Sequence, residues 1–295
     1  MEINNSTEEN KEVSGSGAQH SKEPLIAGRY RKLSLINSGN RSAVWLVADT
    51  QAGDKHMALK LLSTGLTYNP RSYNLFRDTM RRAKQLTHPG FVQIIDTSDQ
   101  DDHQHYFTME YVEGQRLDTL LGEGTGGLKF PELVSTTLEL FEAAKFAYSL
   151  GIILTPLNPK SIFITEAGAK IYHRAEDQNL LTVSAVCTVM DRPTVYYHSP
   201  NTLGGEFDDE RSMIYNLGLL AYEMATGVPL FQSRDLEELI KMHLYKPAPK
   251  ISLLRSDIPE WYQSFVSKCL RKSRFWRYHS LARAIKCINA HRQGL

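Results

Sequence analysis

The sequence predicts an α+β fold with a β-sheet in its first part and mainly helices in its second. Up to Glu110, runs of β-branched and aromatic residues alternate with turn residues, which is typical of strands. After Gly114, apolar residues recur at the spacing of helices. With 295 residues, 41% hydrophobic and 23% charged, the chain can bury a sizeable core and is long enough for two lobes.

The elements follow one another in a simple order. Strands are predicted at 30–37, 43–49, 56–62, 92–97 and 106–110, with a helix at 72–86 between the third and the fourth. Helices are then predicted at 117–121, 132–150, 211–226, 236–244, 259–269 and 280–291, with short strands at 161–165 and 170–172. Residues 1–27 are polar and almost without large apolar side chains, so we predict a disordered tail.

Composition and charge exclude several classes of protein. The net charge of +1 and the isoelectric point near 7.8 provide no general attraction to nucleic acids or anionic membranes. The three cysteines form no CxxC pair, which argues against a disulfide framework and against a zinc site. No apolar run approaches the roughly 18 residues of a membrane span, and no signal-peptide pattern opens the chain. We therefore expect a cytoplasmic protein with neither a membrane span nor a nucleic-acid partner.

Six blocks of sequence carry a family resemblance. They are Met-Ala-Leu-Lys at 57–60, the strand and hinge at 106–114, the loop at 151–165, Tyr-His-Ser-Pro-Asn at 197–201, the apolar helix at 214–227, and Cys-Leu at 269–270 followed by Arg277. In this order they resemble the eukaryotic-type serine/threonine protein kinases, and especially their bacterial members. The resemblance implies a bilobal protein-kinase-like domain. Its N-lobe, an antiparallel β-sheet with helix C, would span 28–113, and its mainly α-helical C-lobe would span 114–295.

The residues that a kinase uses for catalysis are replaced in this register. The catalytic aspartate falls on Pro156 and the metal-binding asparagine on Ser161. The aspartate of the D-F-G block falls on His173, and the glutamate of helix C on Thr79. Because hard Mg²⁺ prefers oxygen ligands to imidazole, no metal site is expected. The resemblance thus implies a degenerate kinase, or pseudokinase, with no catalytic residue.

The nucleotide pocket is only partly retained. Lys60 stands where the family has its phosphate-binding lysine, and the glycine-rich loop keeps one glycine and the valine. If a nucleotide binds, the resemblance places these residues around it: Gly39, Val44, Ala58, Lys60, Met109, Glu110, Val112 and Phe163. No cofactor is firmly expected. Two alternatives stay open: His173, Arg174 and Lys160 hold ATP phosphates without Mg²⁺, or Arg174 turns to solvent and the site collapses.

Two structural positions have also changed. Met213 replaces the aspartate that hydrogen-bonds the catalytic-loop backbone in the family, and Asn201 replaces the A-P-E glutamate that pairs with an arginine, here Arg277. An unpaired buried arginine would cost roughly 3–5 kcal/mol. We therefore predict that Arg277 is exposed or bonds to Asn201, to a backbone carbonyl, or to a carboxylate such as Glu206 or Asp208.

Two functions remain as hypotheses. The first is a catalytically inactive module that regulates or scaffolds another protein, such as an active kinase, its substrate or a larger assembly. The alternative is an atypical ATP-dependent serine/threonine kinase or nucleotidyl transferase with a non-standard site.

Overall fold

The structure, a computed structural model, describes residues 24–39, 42–62, 70–99, 104–122, 126–154, 156–173 and 195–292. Within these residues it has an antiparallel sheet with one helix in its first lobe and mainly helices in its second, as predicted. Residues 1–23 of the predicted tail lie outside the described residues. Ile26 does not fit the tail prediction, since it is 8% exposed and exchanges two backbone hydrogen bonds with Tyr30. Its apolar side chain packs with the first strands, so ordered structure begins before residue 28.

The N-lobe is a five-stranded sheet with the order β1-β2-β3-β5-β4. Its strands are β1 (Tyr30–Gly39), β2 (Ser42–Asp49), β3 (Lys55–Leu62), β4 (Ile94–Thr97) and β5 (Tyr106–Glu110). Helix α1 (Pro70–Ala83) places Tyr73, Phe76 and Met80 against Phe107 of the sheet. This spacing of three and four residues is the apolar stripe of an amphipathic helix.

The C-lobe is built around one buried helix. Its elements are β6 (Gln115–Arg116), α2 (Leu117–Leu120), α3 (Phe130–Ser149), β7 (Ile162–Thr165), β8 (Gly168–Ile171), α4 (Pro200–Leu203), α5 (Glu210–Thr226), α6 (Leu236–Tyr245), α7 (Glu260–Cys269) and α8 (Leu281–Arg292). Residues 212–226 of α5 are all buried. Asp209 caps the start of this helix by accepting a hydrogen bond from Ser212 N, and Gly227, with φ +77°, ends it.

Backbone hydrogen bonds join the two lobes at residues 90–92, just before β4. The predicted strand 92–97 begins at Ile94, because Val92 bonds to the C-lobe instead. Val92 N donates to Ile171 O at 3.0 Å, and Ile171 N donates to Gly90 O at 2.8 Å. None of the helices in the described ranges combines the length and apolar character needed to cross a membrane.

Candidate functional site

The loop before β7 contains the positions that the register assigns to catalysis. Leu154 is 2% exposed and belongs to the C-lobe core, and Pro156 is partly buried at a bend. Ser161 is 3% exposed and ends a short 3-10 helix, Pro159–Ser161. Its hydroxyl donates to Asn158 O at 2.7 Å and accepts from Asn158 N at 3.2 Å. The Ser161 hydroxyl therefore closes a local capping box.

Lys60 has an aromatic neighbour that the sequence analysis missed. The Lys60 side chain lies on β3 and is 8% exposed. Its Nζ atom is 3.5 Å from the Tyr172 hydroxyl and 5.8 Å from the centre of the Tyr172 ring. Tyr172 directly precedes His173, and its N–H donates to Ser161 O at 2.8 Å. Thr79, to which the predicted register assigns the family's glutamate, lies partly buried on α1 and carries no carboxylate.

The apolar residues predicted for the nucleotide pocket are brought together. Ala58 of β3 faces Met109 of β5 across the sheet, and both are 6% exposed. Partly buried residues from four other segments pack against the same cluster; these are Val44, Val112, Phe163 and Tyr172. Gly39 ends β1 opposite Ser42 of β2. A nucleotide at this position remains a prediction.

Glu110 has a structural partner. Its two carboxylate oxygens lie 2.8 and 3.0 Å from Lys170 Nζ, and one of them also accepts a hydrogen bond from Gln93 N at 3.4 Å. Because Glu110 ends β5 and Lys170 belongs to β8, this two-oxygen contact links the lobes at the hinge. From the sequence, Glu110 was assigned only to the nucleotide pocket, and no local pattern indicates its contact with Lys170.

The residues of the alternative anion site are spread over different environments. Lys160 is exposed, His173 is partly buried, and Lys60 is buried in the N-lobe sheet. Arg174 lies outside the described residues, as does Cys187. Among the residues that the structure does describe, no group of three or more His, Cys, Asp or Glu side chains converges as metal ligands would. Anion binding therefore stays a prediction.

A family model described as the protein kinase domain matches residues 30–288. This chain belongs to the protein kinase family. The match covers both lobes and so places the loop at Leu154–Ser161 and the Lys60 strand within one kinase-family domain.

Several bacterial kinases are similar to this family member in sequence. Serine/threonine-protein kinase PrkC of Bacillus subtilis is 27% identical over 86% of this chain and 39% of its own length. A probable serine/threonine-protein kinase PknB of Bifidobacterium longum is 29% identical over 86% of this chain and 38% of its own. For serine/threonine-protein kinase PknA of Mycobacterium tuberculosis, the identity is 26% and the shares are 91% and 63%. The chain thus spans less than two thirds of the length of these relatives.

The fold likeness extends to solved structures. The kinase domain of PknI from Mycobacterium tuberculosis superimposes with a TM-score of 0.67 at 20% identity. The superposition covers 95% of this chain and 99% of that domain. The protein-kinase fold is therefore shown, with its antiparallel N-lobe sheet and its helical C-lobe.

In this kinase-family chain, Asn216 of α5 supports the loop that precedes β7. Its side-chain oxygen accepts from Leu157 N at 3.1 Å, and its Nδ2 donates to Leu157 O and Tyr197 O, both at 2.9 Å. Met213, to which the predicted register assigns the family's aspartate, is 1% exposed in the apolar core. The backbone support that the sequence analysis considered lost is therefore supplied one helical turn later. In the sequence, the amide of Asn216 stands alone among apolar residues of this helix, and that isolation could have indicated a buried hydrogen-bonding role.

Replacing Asn216 by alanine is expected to lower the free energy of unfolding by about 2 kcal/mol, because three backbone groups in the protein interior lose their partner. Urea denaturation measures the loss. Met213→Leu is the matched control on the same helix, since it removes no hydrogen bond and should cost less than about 1.5 kcal/mol. Equal losses in the two variants would contradict the assigned role of Asn216.

Arg277 is buried, and of its predicted partners Asn201 and backbone carbonyls are confirmed. It is 1% exposed, and the Tyr215 ring centre lies 4.8 Å from its Cζ atom. Burial lowers its pKa to about 10. Its donors reach four acceptors at 2.8–2.9 Å: Arg271 O, Arg211 O, Lys272 O and Asn201 Oδ1. The two carboxylates that had been considered bond elsewhere, Glu206 to Arg274 and Asp208 to Thr202.

Proposed function

We propose that this kinase-family chain is a pseudokinase that transfers no phosphate by the ordinary magnesium-dependent route and acts as a regulatory or scaffolding unit by binding another protein. The observation that carries the proposal is the capping box of Ser161. At the position where a kinase presents a metal-binding amide, this chain uses a hydroxyl 2.7 Å from Asn158 O to hold its own loop.

The chemistry of the other positions supports the same proposal. Magnesium-dependent transfer requires a carboxylate beside the substrate hydroxyl and oxygens that hold the metal ions. The Pro156 ring has no atom that accepts a proton, and His173 offers imidazole nitrogens where hard Mg²⁺ prefers oxygen. The residues at these positions do not fit the metal.

Phosphoryl transfer tests the first half of the proposal. The purified chain is incubated with ATP labelled at the γ-phosphate, Mg²⁺ or Mn²⁺, and a basic acceptor protein. We expect no more label in the chain or in the acceptor than with Lys60→Met. We also expect any nucleotide-dependent rise in melting temperature to be the same in EDTA as in Mg²⁺. Incorporation that depends on Lys60 and on the metal ion would contradict the proposal.

The second half of the proposal concerns a protein partner. The native protein is isolated from its own cells together with the variants Lys60→Met and Pro156→Ala. A protein that co-purifies in stoichiometric amounts with all three forms would support a role that needs no catalysis. A partner that is lost in both variants, or bound only during turnover, would contradict it.

An atypical ATP-dependent transferase is the second candidate. It is favoured by the buried Lys60, by the apolar cluster around Ala58 and Met109, and by the kinase names of the relatives. ATP labelled separately at the α- and γ-phosphates distinguishes the two transfers, since nucleotidyl transfer leaves only the α-label on the product. Label that disappears in Lys60→Ala would favour this enzyme over a pseudokinase.

A further inference from the structure

The C-lobe carries an exposed aromatic patch, formed by Phe207, Phe275 and Trp276. We propose that this patch pairs two copies of the chain about a two-fold axis. The three side chains are 96%, 71% and 73% exposed, respectively. Phe207 lies in the loop between α4 and α5, and Phe275 and Trp276 lie in a 3-10 turn between α7 and α8.

Ion pairs hold the two segments of the aromatic patch together. Arg274, next to Phe275, bonds to Glu206, next to Phe207, and also to Asp209 Oδ2 at 3.1 Å. Below them, the buried Arg277 binds Asn201 and the carbonyl of Arg211. These contacts tie the two segments that carry the aromatic side chains to each other in the folded chain.

A projecting ring and a cleft that can receive a ring lie side by side here. The cleft has a volume of about 490 Å³ and is lined by Asn201, Glu206, Asp209, Arg211, Ser273, Arg274 and Phe275. The guanidinium carbon of Arg211 lies 5.9 Å from the centre of the Phe275 ring. Phe207 directly follows Glu206, which lines this cleft. A ring and a cleft on the same face can form an isologous contact, in which the ring of each copy enters the cleft of the other.

Charge and area favour a second copy as the occupant. The cleft is lined by two carboxylates and two arginines, so its formal charge is zero and two copies can meet here without net repulsion; these residues are Glu206, Asp209, Arg211 and Arg274. An aromatic side chain buries roughly 150–250 Å², so the three exposed rings and their counterparts would bury on the order of 1,000 Å² in total. With the rim residues, this reaches the roughly 1,200 Å² at which specific dimers begin. The pairing does not depend on whether the chain transfers phosphate.

Sedimentation equilibrium over a range of protein concentrations tests the pairing. The wild type should show a monomer–dimer equilibrium. Phe207→Ser and Phe275→Ser should each weaken dimerisation on the order of 1,000-fold, since truncating an aromatic anchor commonly costs about 2 kcal/mol and a symmetric dimer loses that anchor on both copies. Tyr245→Ser is the matched control, because Tyr245 is 76% exposed at the end of α6, outside the aromatic patch, and its loss should change nothing. Equal melting temperatures ensure that all the variants are folded.

Photo-crosslinking locates the contact. Benzoylphenylalanine in place of Phe207, in a mixture of isotopically labelled and unlabelled chains, should crosslink to residues 273–277 of the other copy. A wild type that stays monomeric at every soluble concentration would overturn the proposal and leave the patch to a different partner. A dimer that both patch variants leave intact, or crosslinks only within one chain, would overturn it equally.

Discussion

Replacement of Arg277 by methionine is expected to lower the free energy of unfolding by about 3 kcal/mol. The side chain is 1% exposed and donates to three backbone carbonyls and to Asn201 Oδ1. Methionine fills much of the same volume but donates nothing, so each acceptor is left without this partner at a cost of about 1 kcal/mol or more. Removal of a buried charge, whose desolvation lowers the pKa of Arg277 to about 10, offsets part of this loss.

Two matched variants separate the parts of this effect. Asn201→Ala removes one of the four acceptors and should cost about 1 kcal/mol. Arg274→Met removes a partly exposed arginine from the neighbouring turn and should cost no more than about 1 kcal/mol, as surface ion pairs usually do. Urea denaturation of the three variants measures the differences. If Arg277→Met costs no more than Asn201→Ala, the carbonyl contacts do not stabilise the lobe as argued.

The elements were largely predictable because their patterns are local. Strand β5 was predicted at 106–110 and is found there. Helix α5 was predicted to begin at residue 211 and begins one residue earlier, at Glu210. The error at Val92 has a non-local cause. Its N–H bonds to Ile171, which lies in the other lobe, and no pattern in the neighbouring sequence carries that information.

Contacts between residues distant in sequence also limited the prediction of the candidate site. The register alone identified Pro156, Ser161 and His173 as the substituted positions. The contacts from Asn216 to Leu157, from Lys60 to Tyr172 and from Lys170 to Glu110 join residues 59, 112 and 60 positions apart. Arg277 was an intermediate case. Its need for acceptors followed from the cost of burying a cation, but packing decided that Glu206 would bond to Arg274 instead.

The pH dependence of stability should contain two opposing slopes, of which the first comes from Glu223. Its carboxylate is 7% exposed and accepts from the Tyr197 hydroxyl at 2.8 Å. Burial raises its pKa from 4.5 to about 7, and the nearby Asp118 charge adds to this rise. Between pH 4.5 and about 7, the Glu223 carboxyl keeps a proton in the folded chain that it has released in the unfolded chain. The free energy of unfolding therefore falls as pH rises, by about 3 kcal/mol across the window.

His243 contributes the second slope, of opposite sign. It is fully buried beside Phe231 and Lys272, and neither ring nitrogen has a hydrogen-bond partner among the described residues. Burial lowers its pKa from 6.5 to about 3, with smaller contributions from the charges of Lys272 and His198. Between about pH 3 and pH 6.5, the His243 ring binds a proton only in the unfolded chain. The free energy of unfolding therefore falls as pH falls, by roughly 1.4 kcal/mol per pH unit.

The two slopes overlap between pH 4.5 and 6.5, where the contributions of Glu223 and His243 should largely cancel. Glu223→Gln keeps an acceptor for the Tyr197 hydroxyl but does not titrate. It should leave stability unchanged below pH 4.5 and raise it by about 3 kcal/mol above pH 7, because the ionised carboxylate no longer has to be buried. His243→Leu, the matched control, should instead reduce the acid slope. Urea denaturation at several pH values gives both curves. A Glu223→Gln curve parallel to that of the wild type would mean that the carboxyl ionises as freely in the folded chain as in the unfolded one.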